Sequence, residues 1–323
     1  MIKNGFYFTI LGADQIFKMP REIALKYKKS VRGKIFHIET FLVLRAKDVE
    51  RILTNSTQHL TKGFVYNFLH PFLKTGLLTS DGEKWHTRRR MLTPAFHFNI
   101  LKEYCEVFKE ESDQLVEIIK ATNGKVVDVV PISTQFTLNT VCESAMGIKL
   151  SNLGNDGQKY RNGIYQIGKK LIHRSMRPWL HVDFIYKLLG HLREFEEILK
   201  PVNQFTQTII DKRRIDFNNK KMNKKEIEKE ADDNENIYMG SKKKRFAMMD
   251  TLLQAQSEGL IDDEGIIEET DTFTFEGHDT SSACMSFTLL LLAHHPEVQE
   301  KLYEEIQMLL MEKMILLLMI LIK

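Results

Sequence analysis

The residues best suited to chemistry lie near the end of the chain, where an acid, a glycine, a second acid and an alcohol come close together. Glu276, Thr280 and Cys284 are spaced at i, i+4 and i+8, so on a helix they share one face. Asp279 lies beside Thr280, and Gly277 interrupts the stretch at a cost of about 1 kcal/mol relative to alanine in a helix. A glycine notch next to an acid–alcohol pair predicts a site at which another group docks.

Large apolar residues flank this stretch and predict that the helix is largely buried. Phe273 and Phe275 precede it, and Phe287 and Leu289–Leu292 follow it. Buried polar groups are costly unless they are satisfied, which favours a docked group. The alternative is a core helix in which the hydroxyls of residues 280–282 donate back to carbonyls one turn earlier. The occurrence of glycine, acid and alcohol in one order favours the docked group.

A second candidate site combines a tryptophan and an arginine. Trp85 and Arg89 are four residues apart, so they share a helix face, and an indole N–H with a guanidinium fork suits a fixed anion. The alternative is a solvated basic face, because Arg88, Arg89 and Arg90 are adjacent and cannot all point inward. Taken alone, the pattern leaves both interpretations open.

The wider sequence around both candidate sites resembles the cytochrome P450 monooxygenases. Residues 276–281, Glu-Gly-His-Asp-Thr-Ser, are similar to the oxygen-binding helix of that family, and residues 268–275 resemble its family 4, the insect-type fatty-acid omega-hydroxylase branch. Residues 92–98, Leu-Thr-Pro-Ala-Phe-His-Phe, follow the tryptophan–arginine pair as they do in the family. The resemblance implies that Trp85 and Arg89 bind a haem propionate and that Arg88 and Arg90 form a solvated face.

The resemblance also implies a role for each residue of the central stretch. Glu276 matches a position at which some family-4 members form an ester with the haem, and Gly277 would leave room for oxygen. Asp279 and Thr280 would relay protons to dioxygen as general acids. The implied fold is mainly α with a small β-sheet, corresponding to the N-terminal part of the cytochrome P450 fold.

The resemblance further implies a cofactor, partners and a location. The cofactor would be haem with its iron, electrons would come from an NADPH-dependent reductase, and the substrate would be lipid-like. The protein would lie on a membrane surface, at the cytosolic face of the endoplasmic reticulum membrane, with an anchor that this chain lacks. The sequence contains no run of about 18 apolar residues that would span a bilayer. A net charge of +3 gives no reason to expect a nucleic-acid partner.

The resemblance ends near residue 307, before the elements that carry the iron ligand. The family requires a Glu-x-x-Arg pair and a glycine-rich cysteine loop, but no arginine follows Arg245. Cys105, Cys142 and Cys284 all lack the loop's context, so no metal ligand is predicted and the chain as written is expected to be inactive. Cys142 is expected to be a packed core thiol. The alternative function is that of a non-catalytic, truncated helical protein or an incorrectly joined gene product.

The predicted organisation is one incomplete domain at residues 14–308 followed by an aberrant apolar tail at 309–323. Within the domain, 20 of the 35 residues at 211–245 are charged, which predicts a solvated helix end and a charged flexible loop at about 213–245. Other predicted elements are helices at Asp14–Tyr27, Ala46–Leu53 and Ile100–Ala121, two short strands within Lys34–Arg45, and a short extended piece at Val126–Val130.

Overall fold

The computed structural model describes residues 13–27, 29–35, 38–54, 61–231 and 248–321, and most of them are helical. The helices are α1 (Ala13–Tyr27), α2 (Ala46–Leu53), α3 (His70–Leu73), α4 (Gly82–Leu92), α5 (Phe98–Ala121), α6 (Val129–Ser144), α7 (Asp156–Ser175), α8 (Asp183–Leu188), α9 (His191–Ala231), α10 (Met248–Ser257), α11 (Asp263–His294) and α12 (Pro296–Leu321). Short 3-10 helices lie at Phe64–Leu69, Thr93–Phe96, Leu150–Leu153 and Pro178–His181. Within these ranges no helix combines the length and apolar character needed to cross a membrane.

The β-structure of the described residues is a single antiparallel hairpin. Strands β1 (Val31–Ile35) and β2 (Ile38–Leu42) pair so that the first residue of β1 faces the last residue of β2. The predicted mainly α fold with a small sheet is confirmed. The strand pair begins at Val31, earlier than the predicted Lys34. The predicted extended piece at Val126–Val130 is wrong at its end, because α6 begins at Val129. There Asp128 caps α6 by accepting a hydrogen bond from the backbone N–H of Val130 at 3.0 Å.

The core lies where α11 packs along α6 and α7 packs against α9. Its largest fully buried side chains include Tyr160 of α7 and Phe205 of α9, whose ring centroids are 4.5 Å apart. Cys142 of α6 is also completely buried, and burial raises the pKa of its thiol. The prediction that Cys142 is a core thiol is therefore confirmed.

The charged segment is more helical than predicted. Helix α9 continues to Ala231, so the prediction of a loop is wrong for residues 213–231, and the remainder of the predicted loop lies outside the described residues. Charged side chains on a solvated helix need no core, and Arg213 also has a partner on another helix. Its Nε and Nη2 each lie 2.7 Å from a carboxylate oxygen of Asp250 on α10. The predicted tail is likewise helical as far as Leu321, because α12 continues without a break.

Gly277 is required by the close approach of α11 and α6. A Cβ atom built at Gly277 would lie 2.7 Å from Cγ2 of Val141, which is closer than real Cβ contacts. Gly168 on α7 differs, because a Cβ atom there meets nothing within 4 Å.

Gly277→Ala should therefore lower the free energy of unfolding by about 1–3 kcal/mol, because the added methyl group overpacks the interface with Val141. The control Gly168→Ala should raise it by about 0.5–1 kcal/mol through helix propensity. Urea unfolding of the 323-residue chain followed by circular dichroism gives both values. Equal stability of the two variants would contradict the packing role of Gly277.

Candidate functional site

Helix α11 carries the predicted site, and its first half is buried. Asp262 caps the helix by accepting a hydrogen bond from the N–H of Gly265 at 2.8 Å. Residues 268–272 are all buried although two glutamates and an aspartate are among them. Buried acids need hydrogen-bond partners, and the two glutamates find theirs on α4 and on the loop that precedes it.

Glu268 and Glu269 bind the segment that precedes α4. The Nζ of Lys84 and the Oγ1 of Thr75 each donate a hydrogen bond of 2.7 Å to the carboxylate of Glu268. Burial acts to raise the pKa of Glu268, but these hydrogen bonds hold it below its usual value. The N–H of Leu77 donates to Glu269 at 3.1 Å, and burial raises the pKa of Glu269 to about 7. The acidic pair therefore ties α4 and its preceding loop to the central helix.

The second half of α11 presents the predicted face toward solvent. Asp279, Thr280 and Cys284 are exposed, whereas Glu276 is half-buried. Burial raises the pKa of Glu276, an effect that the nearby Lys62 ammonium opposes. Thr280 donates its hydroxyl to the carbonyl of Glu276 at 2.7 Å. The hydroxyl is thus back-bonded as in the alternative interpretation, but it is on an exposed face and not in the core.

Gly277 is placed on a different side of the helix from this face, because its Cβ position points at Val141 of α6. The structure therefore gives Gly277 a packing role. Its role in leaving room for oxygen stays a prediction.

Helix α4 separates its three arginines. Trp85 is half-buried and Arg89 is exposed, one turn apart on one face, so both are accessible to an anion. Arg90 is exposed as predicted. The prediction that Arg88 belongs to the solvated face is wrong: its side chain is only 11% exposed and its Nε lies 3.9 Å from Oε1 of Glu269. The buried carboxylates of α11 attract one arginine of α4, and sequence alone did not reveal those carboxylates as buried.

A buried polar cluster lies behind the predicted face and was missed by the sequence analysis. Asp271 is 1% exposed and accepts a hydrogen bond of 2.6 Å from Thr206 of α9, and burial raises its pKa to about 7. His278 is fully buried near Tyr160, with ring centroids 5.5 Å apart, and burial lowers its pKa. The spacing of Asp271, Thr274 and His278 at i, i+3 and i+7 was the available signal, since it defines a second polar helix face.

Comparison with known proteins identifies the group to which this arrangement belongs. The Cytochrome P450 family model matches residues 4–315, which is nearly the whole chain. The chain belongs to the cytochrome P450 family. "Probable cytochrome P450 4p3" of Drosophila melanogaster is 40% identical over 302 residues, which cover 93% of this chain and 57% of that protein. "Cytochrome P450 4p1" of the same organism is 41% identical over 305 residues, covering 94% of this chain and 58% of that protein.

These relatives confirm the predicted family and its family-4 branch, and haem is the cofactor that membership of the cytochrome P450 family implies. "Cytochrome P450 4d2" of Drosophila melanogaster is 36% identical over 309 residues. The chain spans a little over half the length of the relatives that it matches.

The residues of this cytochrome P450 fit part of a haem site. Trp85 and Arg89 present an indole N–H and a guanidinium on one accessible face, which suits a propionate. Among the described residues, none of the three cysteines is placed as an iron ligand. Cys142 is buried with a raised pKa, which disfavours the thiolate form, and Cys105 and Cys284 lie on the exposed sides of long helices rather than in a glycine-rich loop.

Proposed function

We propose that this chain forms the part of a family-4 haem-thiolate monooxygenase that carries the oxygen-binding helix, and that the monooxygenase acts on a lipid-like substrate. The observation that carries the proposal is the accessible face of α11, where Glu276, Asp279 and Thr280 lie together although the first half of the same helix is buried. An exposed acid–alcohol pair on a helix of this family supports a docking face more than a core helix. The electrons would come from an NADPH-dependent reductase, at a membrane surface on the cytosolic side of the endoplasmic reticulum.

The proposed work of the residues follows from their chemistry. Haem, when bound, supplies the redox chemistry that activates dioxygen. Trp85 and Arg89 would hold a propionate through charge-assisted hydrogen bonds. Thr280 can move its hydroxyl proton from the Glu276 carbonyl to a reacting group, and the exposed Asp279 can replace that proton from solvent. Burial favours the uncharged carboxyl of Glu276, which suits an apolar neighbour.

A second candidate function is a non-catalytic one, in which the chain binds another protein. The observation that favours it is an apolar surface on the second half of α11 and on α12, where Phe287, Leu291, Tyr303 and Ile306 are all more than 45% exposed. Large exposed apolar patches mark interaction sites. The two functions differ in whether the accessible face of α11 contacts haem.

A fusion protein distinguishes these functions. Residues 1–307 of this chain would be joined to the corresponding C-terminal part of cytochrome P450 4p1, which is expected to supply the cysteine loop of the family. The monooxygenase proposal predicts a thiolate-type carbon monoxide difference spectrum and oxygen insertion into a fatty acid. A soluble, folded fusion protein without that spectrum would contradict the proposal and support the binding function.

Arg89→Ala in this fusion protein should lower haem retention by about tenfold or more, because a propionate loses a charge-assisted hydrogen bond of about 1.5–3 kcal/mol. Arg90→Ala is the matched control, since Arg90 is the adjacent exposed arginine and should leave retention unchanged. Haem transfer to apomyoglobin measures both. Equal loss from the two variants would show that only general positive charge matters.

A further inference from the structure

Arg88 is seated in a slot on the central helix, unlike its neighbours on α4. Its Nη2 lies 4.0 Å from Oε2 of Glu268 and its Nε lies 3.9 Å from Oε1 of Glu269. A Cβ atom built at Gly265 would lie 2.3 Å from Nη2 and 2.6 Å from Nη1 of Arg88. The guanidinium therefore rests directly on the backbone of α11 at Gly265, with the two carboxylates one turn further along. Any side chain at position 265 would displace it.

The seat of Arg88 fixes how α4 is rotated about its own axis. Successive residues of an α-helix are about 100° apart, so a fixed direction for Arg88 also fixes the directions of Trp85 and Arg89. The Nζ of Lys84 reinforces the arrangement from the preceding turn through its hydrogen bond to Glu268. With Arg88 turned inward, the face that carries Trp85 and Arg89 stays accessible.

We propose that Arg88, held at Gly265 between Glu268 and Glu269, is a positioning residue that sets the rotation of α4 and thereby presents Trp85 and Arg89 to the haem. The rotation of α4 follows from the contacts alone, and only its consequence for haem rests on the proposed function. Gly265 is part of this arrangement because the absence of a side chain there leaves the space that the guanidinium of Arg88 occupies.

The fluorescence of Trp85 in the full 323-residue chain tests this inference, since Trp179→Phe leaves Trp85 as the only tryptophan. Arg88→Met and Gly265→Ala should each raise the acrylamide quenching constant of Trp85 about twofold, because a half-buried ring becomes exposed when α4 is released. Arg90→Met and Gly168→Ala are the matched controls, at an exposed arginine of α4 and at an open helical glycine, and should leave the quenching constant unchanged.

Quenching constants of Arg88→Met and Gly265→Ala that equal those of the controls, in variants with unchanged circular dichroism, would overturn the inference. Gly265→Ala keeps every charge, but its methyl group would also meet Cγ1 of Ile261, which lies 2.6 Å from the built Cβ atom. Arg88→Lys, which keeps the charge and removes the guanidinium, therefore replaces Arg88→Met if that variant does not fold. Haemin titration of the same variants separates the two ideas. With the same substitutions in the fusion protein, which carries a cysteine loop, raised quenching of the 323-residue variants together with unchanged haemin binding by the fusion variants supports the rotation of α4 and contradicts the haem role of Trp85 and Arg89.

Discussion

Asp271→Asn should stabilise the protein at about pH 8 and have little effect at about pH 4. Asp271 is buried on α11, and burial raises its pKa to about 7, whereas an unfolded chain gives an aspartate a pKa of about 3.9. Between these values the folded state binds more protons than the unfolded state, so the free energy of unfolding falls as the pH rises. Above about pH 7 the carboxyl group of Asp271 is ionised in both states, and its burial then lowers the free energy of unfolding by at most about 4 kcal/mol.

An asparagine removes this cost and keeps the local contact, because its amide oxygen can still accept the hydrogen bond from Thr206. The difference in unfolding free energy between Asp271→Asn and the unmodified chain should therefore grow between about pH 4 and about pH 7 and then level off. Urea unfolding across this range measures it. Asp113→Asn, on the exposed side of α5, is the control for a general change of charge. A difference that is the same at every pH would show that Asp271 does not titrate in this window.

Thr280→Ala in the fusion protein should uncouple electron use from product formation. Thr280 is exposed, and within the described part of the chain its hydroxyl group donates to the Glu276 carbonyl at 2.7 Å, so alanine should leave the fold and the haem spectrum intact. Loss of a positioned proton donor typically costs about 10²-fold or more in rate. The measurement is the ratio of oxygenated product to NADPH consumed, with hydrogen peroxide assayed in parallel.

Thr288→Ala is the matched control for this experiment. Thr288 is also exposed on α11 and donates its hydroxyl to the Cys284 carbonyl at 2.8 Å, two turns beyond Thr280. It should retain full coupling. Glu276→Ala should also retain coupling, and should make the haem extractable by organic solvent if Glu276 forms the ester. Fully coupled turnover by Thr280→Ala would restrict Thr280 to the back-bonded structural role.

The sequence was sufficient for the helical architecture and for which residues share a helix face, because both depend on local spacing. The prediction that the central helix is largely buried is wrong for the second half of α11, where Phe287 is 60% exposed. Trp85 and Arg89 share a face of α4 for the same reason that Glu276 and Thr280 share one of α11. The burial of Arg88 could not be predicted from spacing, because three consecutive arginines look alike in the sequence. The carboxylates of α11 distinguish Arg88 only in the folded structure.

The same limitation explains the missed burial of the acids on α11. Asp271 is buried, and the hydroxyl that satisfies its carboxyl group belongs to Thr206 of α9, which is 65 residues away along the chain. The composition of residues 213–231 predicts a loop beyond a short helix end because it cannot form a core, yet a solvated helix that Arg213 ties to Asp250 needs no core. The composition of a segment indicates whether its side chains can form a core, but it does not decide whether its backbone is helical.

Helix α11 is continuous in its hydrogen bonding but uneven in its surroundings. Its first half packs against α6 and α9 and is contacted by Lys84 and Arg88 of α4 and by the loop before α4, while the second half, from Asp279 onward, is mostly exposed. The enclosed half therefore opens only when much of the domain unfolds, whereas the exposed half can fray by itself. Thr280 lies just beyond the boundary between the two halves. A molecule that binds this face only when the helix is ordered therefore stabilises the exposed half, and fraying of that half lowers the affinity for the molecule.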